Sequence, residues 1–243
     1  MQTVSISYEH PSGQVALGLA GFFRDPLSQL APSALNRFLN SVSDRMASGK
    51  LADVDALADL SQTDEGRAAI TRAARQTGAF DTLEPDADTL KNWQVSDGAV
   101  AAMRIALAPI PALHNLCLFV GAAAYTTRLR ALLMRAERDA AKALFKDAAY
   151  EFGVHECQPF YNALAVLDDG AEFTTDGNTD FATHPVGQRA AQVLAAHLSM
   201  QNALAGRLVL LRLVGQPDAT LPDLSEAQHK QLLRLIDRKG TFQ

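Results

Sequence analysis

Two groups of side chains in this sequence have the types and spacing to do more than hold a core together. The first is basic. In "YTTRLRALLMRAERDAAKALFKDAAYEFG", Arg128, Arg135, Arg138, Lys142 and Lys146 fall within one stripe when projected at 100° per residue. Roughly opposite lie Leu129, Leu132, Leu133, Ala136, Ala140, Ala143 and Leu144. The expected element is one long helix with a buried apolar face and a basic face in water. Five like charges on one face exceed what solubility requires, and an acidic protein surface would complement them. A plain solvated helix face is the alternative. The second group is "HEC", His155, Glu156 and Cys157, three potential ligands in a row. A zinc-hydrolase helix places its second histidine four residues after the first; Pro159 stands there, so the metal pattern fails.

The remaining candidates read as structural. "DGNTD" puts Asp176, Asn178 and Asp180 at alternate positions, like the start of a calcium loop. Such a loop needs glycine at its sixth place and a bidentate glutamate at its twelfth, where this chain has Phe181 and Gly187. An acidic turn in water is the simpler reading. His114 and His197 sit among apolar residues at helical spacing and read as hydrogen-bonded core histidines. Ser199 and Ser225 lack the glycines of a nucleophile elbow, and there is no glycine-rich phosphate loop. Cys117, inside an apolar run, reads as a small core hydrophobe, and a bridge to Cys157 is left open.

The elements that must position these groups are helical. Alanine and leucine dominate, while β-branched and aromatic residues are sparse. A chain of 243 residues, 48% apolar and 20% charged, can bury a core without disulfides or metal. The charge-free run "IALAPIPALHNLCLFVGAAAYTT" has the length of a membrane span, but Pro109 and Pro111 forbid one continuous helix through it. It reads instead as two core helices, the first capped at Ser96 or Asp97 and the second restarting at Pro111. The chain is therefore expected to be all-α, a mostly helical domain of roughly 8–10 helices over residues 32–243. Residues 1–31 are expected to be irregular, with a short strand at "TVSISY" as one option. Ser33 and Gly49 bound an expected helix, a kink or break is expected near Gly206, and Ser225 with Gln228 forms a capping box before a helix ending at Gly240. The acidic stretch 167–185, with no basic residue, reads as a surface loop.

The net charge of −5 argues against general nucleic-acid binding. Residues 94–166 carry 7 basic and 6 acidic groups, the least acidic third of the chain, and the basic ones crowd onto the stripe. "MQTVSISYEHPSGQ" has no basic region leading into an apolar one, so the expectation is a chain without a secretory leader, in a reducing cytosol.

The segment "LFVGAAAYTTRLRALLMRAERDAAKALFKDAAYEFG" resembles the SctK/YscK family, accessory proteins of the bacterial type III secretion sorting platform. Members run from an apolar, small-residue helix into "LR" and then a basic helix ending near an aromatic. "VGQRAAQVLAAHLSMQNALAGRLVLLRL" is similar to the family's C-terminal helical section. Together the two cover about a third of the chain; the N-terminal region and the acidic loop have no counterpart. The resemblance implies a cytoplasmic, non-enzymatic adaptor without a cofactor. It would link the cytoplasmic domain of the inner-membrane ring protein to the pod (C-ring) protein, held at the inner membrane through those partners. The family supplies no residue-level contacts, so the docking role of Arg128, Arg135, Arg138, Lys142 and Lys146 is an inference from the stripe alone. The competing expectation is a helical-bundle enzyme or small-ligand regulator with a pocket near His155/Glu156 or His197.

Overall fold

The structure is a computed structural model, which describes residues 11–46, 54–83, 96–158, 160–173 and 180–240. Among these residues it is all-α, with no strand; the strand option at "TVSISY" and most of the 176–180 turn lie outside them. The helices are α1 (Pro11–Arg24), α2 (Pro32–Met46), α3 (Val54–Leu60), α4 (Asp64–Gln76), α5 (Asp97–Ala106) and α6 (Ile110–Ala124). After these come α7 (Thr126–Ala131), α8 (Arg135–Glu151), α9 (Pro185–Gln201), α10 (Ala203–Val214) and α11 (Glu226–Lys239). Short 3₁₀ turns and one π-helical segment, Phe152–Glu156, connect them. Residues 11–24, left irregular in the sequence reading, are helical. The contacts divide the chain into two compact units. One unit takes Met1–Ile110 with Leu198–Asp218, the other Pro111–His197 with Ala219–Gln243.

In the first unit α10 packs on α2 and α5, and all of its side chains but Ala203 and Arg207 are buried. A helix apolar on nearly every side has to be surrounded, and this one is. Its single buried charge is Arg212, 1% exposed. The guanidinium donates to the carbonyls of Ala106, Ala108 (2.8 Å) and Gln29 (3.0 Å). Ala106 is the last residue of α5, so the cation meets carbonyls that the helix leaves unpaired. Burial pushes Arg212 down to about 10, which still leaves it charged at neutral pH. The Arg212 carbonyl accepts from Ala31 N–H at 2.8 Å, tying the start of α2 to the same residue. Gly215 ends α10 at a φ of 78°, where any Cβ would come within 2.3 Å of the Ala34 carbonyl oxygen.

The break before α10 falls at Asn202, not near Gly206. The Asn202 side chain accepts from Ala205 N–H at 3.2 Å, offering the backbone a cap that a continuing helix could not use. Ser96 caps α5 by accepting from Ala99 N–H, and the Ser225/Gln228 capping box opens α11, which ends at Gly240. Helix α2 starts at Pro32, one residue before the expected Ser33.

The second unit is built on α6, buried from Leu116 through Ala124. No single helix among the described residues is long and apolar enough to cross a membrane; α5 and α6 reach that threshold only as a broken pair, by length and composition. The expected division of the charge-free run at its prolines is thus what the chain adopts. Rings from three segments pack together: Phe145 lies 5.7 Å from both Phe173 and Phe181, and Tyr125 is 5.7 Å from Phe173. Helix α11 is held by Lys239, whose ammonium sits 4.9 Å from the Phe119 ring centre and 4.7 Å from that of Phe152.

Replacing Arg212 by Met leaves three buried carbonyls without their donor. We predict a loss of about 3 kcal/mol or more in urea unfolding. Arg212→Lys should recover less than half, because an ammonium cannot fork between separated carbonyls. Full recovery by lysine would show that only the charge matters.

Candidate functional site

The basic stripe does not survive as one face of one helix. Thr126 donates its hydroxyl to the Gly153 carbonyl at 2.6 Å. Had residues 126–153 formed one straight helix, those groups would be roughly 40 Å apart. The chain must therefore reverse between them, and it leaves the helical path twice: at residues 132–134 and at Lys146 (φ 61°, ψ 158°), across which Lys142 and Glu151 come back to within 3.5 Å. Helix α7 ends at Ala131, Leu132 is extended (ψ 113°), and so is Met134 (φ −76°, ψ 138°). No proline or glycine marks either break; tertiary packing overrides a strongly helical local sequence. After Lys146 the rest of α8 runs back into the π-helical segment, whose Gly153 lies so close to α6 and α7 that a Cβ would meet Leu129 Cδ1 at 2.7 Å and the Ala122 carbonyl oxygen at 3.1 Å.

The reversal changes which side chains are buried. Leu129 and Leu144 are in the core as expected, but Leu133 is 85% exposed, Met134 is 65% exposed, and Ala136 and Ala143 face water. Their expected burial assumed a helix that ran straight through.

Two clefts, each of about 470 Å³, flank the extended residues and share Leu132. One is basic. Arg130, Arg135, Arg138, Lys142 and His155 line it with Tyr150, Val154 and two acids, Asp139 and Glu151. Glu151 sits between Lys142 (3.5 Å) and His155 (3.1 Å), and Arg135 lies 3.6 Å from Asp139 with its side chain 90% exposed. Lys142 also packs over the Tyr150 ring at 5.2 Å. Arg130 hydrogen-bonds Gln158. Three of the five stripe residues, Arg135, Arg138 and Lys142, thus share one cleft with Arg130 and His155, which the helical projection missed. The four-residue spacing of Glu151 and His155 was the one signal that could have joined His155 to the basic group.

Arg128 belongs to the other cleft, with Leu132, Ala136, Glu137, Ala140, Glu172 and Phe173. It pairs with Asp168 at 3.2 Å, donates to the Ala171 carbonyl at 2.7 Å, and stacks over Phe173 at 4.7 Å. Those contacts pin the start of the acidic 167–185 stretch, and Tyr125 adds a hydrogen bond to Asp169. Lys146, at a φ of 61° within α8, lines neither cleft.

His155 and Glu156 turn to different partners. Glu156 is held by Arg238 (2.9 Å) and Lys239 (3.5 Å) of α11, whereas His155 turns to Glu151. Among the described residues no group of three or more His, Cys, Asp and Glu is placed to hold a metal ion. Cys117 and Cys157 are free, buried thiols, each pushed up to about 12, chiefly by burial. His114 stacks on Phe181 at 5.8 Å between ring centres, and its Nε2 is buried without a hydrogen-bond partner among the described residues. His197 is a buried, hydrogen-bonded histidine whose partner is His229 of α11, Nδ1 to Nδ1 at 3.0 Å.

Compared with known family models, curated proteins and solved structures, the chain matches none of them.

The histidine pair gives a pH dependence of known sign. Burial, and then the neighbouring His229, hold His197 down to about 4; burial also lowers His229, against the opposing charge of Asp223. Between about 6.5 and 4 the unfolded chain binds more protons, so stability is full above about 6.5 and falls as pH drops through that window. For His197 alone the loss at pH 5 is about 2 kcal/mol. Urea unfolding at pH 7.5 and 5 should show the His197→Leu/His229→Leu variant losing less than the native chain by about that amount; an equal loss would remove the pair from the account.

Proposed function

We propose that this protein is a non-enzymatic structural adaptor that docks an acidic protein surface through its basic cleft. The observation that carries this reading is the convergence of Arg130, Arg135, Arg138, Lys142 and His155 on one open cleft beside exposed Leu133 and Met134. Within the cleft only Asp139 and Glu151 oppose these cations, and Arg138 has no carboxylate partner among the described residues. Cations left in excess on a concave surface attract an acidic partner and steer its approach. The partners we propose are those implied by the resemblance to the secretion sorting platform: the cytoplasmic domain of the inner-membrane ring protein and the pod (C-ring) protein, at the cytoplasmic side of that membrane.

One observation favours a second reading. The cleft has the volume of a small-molecule site and contains the Glu151–His155 pair, so a small anionic ligand or substrate could sit there. Under that reading His155→Ala would abolish binding or turnover of the small molecule while leaving protein partners unaffected.

Calorimetric titration of the purified protein with the ring domain and with the pod protein separates the two. We predict binding to at least one, weakening as salt rises. The triple variant Arg135→Glu/Arg138→Glu/Lys142→Glu should bind more than about tenfold more weakly. Binding that withstands the triple reversal would keep the adaptor but remove the cleft. If neither protein binds, the secretion assignment falls.

A further inference from the structure

The partner's docking element can be specified further, resting on the protein-docking reading above. Residues 132–134 form an extended ridge with a cleft on either side, and Leu132 lines both clefts. On top of the ridge Leu133 and Met134 are exposed, flanked by exposed Ala136. Scattered surface leucines need no explanation, but adjacent large apolar side chains on an extended segment between two clefts mark a contact surface. Methionine suits such a place because its unbranched side chain adapts to a partner. The two clefts differ in chemistry. One offers an apolar wall of Ala136, Ala140 and Phe173; the other carries four permanent cations against two carboxylates.

We infer that this face receives an acidic amphipathic α-helix of a partner protein, whose apolar stripe covers Leu132, Leu133 and Met134 and reaches toward Phe173 while its carboxylates enter the basic cleft. A helix with one apolar and one acidic face presents both chemistries at once, in the helix-in-groove manner. Other occupants use less of what is there. A small anion would leave Leu133 and Met134 in water, and the exposed guanidinium of Arg135 could not enclose it. A flat anionic membrane would not fill the clefts and would meet Glu137 and Glu172 on the apolar side. A second copy laid ridge to ridge would bring two basic clefts together.

The test uses a display library of 18-residue helical peptides selected on the immobilised full-length protein, with enriched peptides synthesised and titrated by fluorescence anisotropy. The expected consensus has apolar residues spaced i, i+3/i+4, i+7, with Asp and Glu on the adjoining face. Both Leu133→Ser/Met134→Ser and Arg135→Glu/Arg138→Glu/Lys142→Glu should weaken binding at least tenfold. Leu17→Ser, an exposed leucine in the other unit, should leave it unchanged, and thermal melts should show all three variants folded. Failure to enrich any peptide, acidic peptides without apolar periodicity, or affinity unmoved by Leu133→Ser/Met134→Ser would overturn the inference. So would Leu133-dependent sedimentation with phosphatidylserine vesicles in place of peptide binding, or self-association lost in the same variant. Titration with the ring domain and pod protein is read separately: a selected helix without either partner leaves this inference and removes the secretion assignment. Partner binding that ignores Leu133 does the reverse.

Discussion

The close packing of Gly153 on Leu129 and the Ala122 carbonyl, with the Thr126 hydroxyl donating to the Gly153 carbonyl, requires the reversal on which the second unit's surface depends. A helix cannot bring positions so far apart in sequence together without turning back. The chain leaves the helix at 132–134 and folds back at Lys146, burying Leu144 and Phe145 before that turn and Tyr150 after it while Gly153 packs beside Leu129. Gly153 makes the approach possible, since its missing side chain leaves room for Leu129 and the Ala122 carbonyl. What the reversal leaves outside is a ridge of Leu133 and Met134 and a pocket of cations that a straight helix would have spread along its length.

The first unit relies on a different use of the same resource, the carbonyls that helix ends leave unpaired. Arg212 gathers Ala106, Ala108 and Gln29 into one buried fork, and its own carbonyl takes the Ala31 N–H. A cation with no acidic partner among the described residues is tolerated there because backbone oxygens and the C-terminal end of α5 supply the negative potential. In the second unit Lys239 is held comparably, by two aromatic faces and Glu156.

Local chemistry was readable from residues alone wherever it depends on near neighbours. The capping box at Ser225 and Gln228, the Ser96 cap, and the proline break that divides the charge-free run are all decided within a few residues. What depended on distant partners was not. Arg212 looks like any arginine near a helix end until α5 and the turn at Gln29 are seen to need its donors. The residues around Leu133 have high helix propensity and no breaker, so the projection kept them in one helix and sent Leu133 to the core. Asn202 has the side chain of a helix cap, whereas Gly206 is compatible with a buried helix. The candidate site was half legible: Arg135, Arg138 and Lys142 follow from helical spacing, whereas Arg130 and His155 reach the same cleft only through the reversal.

The central claim is that the ridge and its basic cleft form one protein-docking face. The most direct measurement places a photo-cross-linking amino acid at position 133 in the living source cell and identifies the adduct peptide by mass spectrometry. The account predicts adducts concentrated on one acidic helical segment of one partner, and their loss when Arg135, Arg138 and Lys142 become glutamates. The absence of adducts at position 133, or adducts scattered over unrelated proteins and indifferent to that charge reversal, would contradict it.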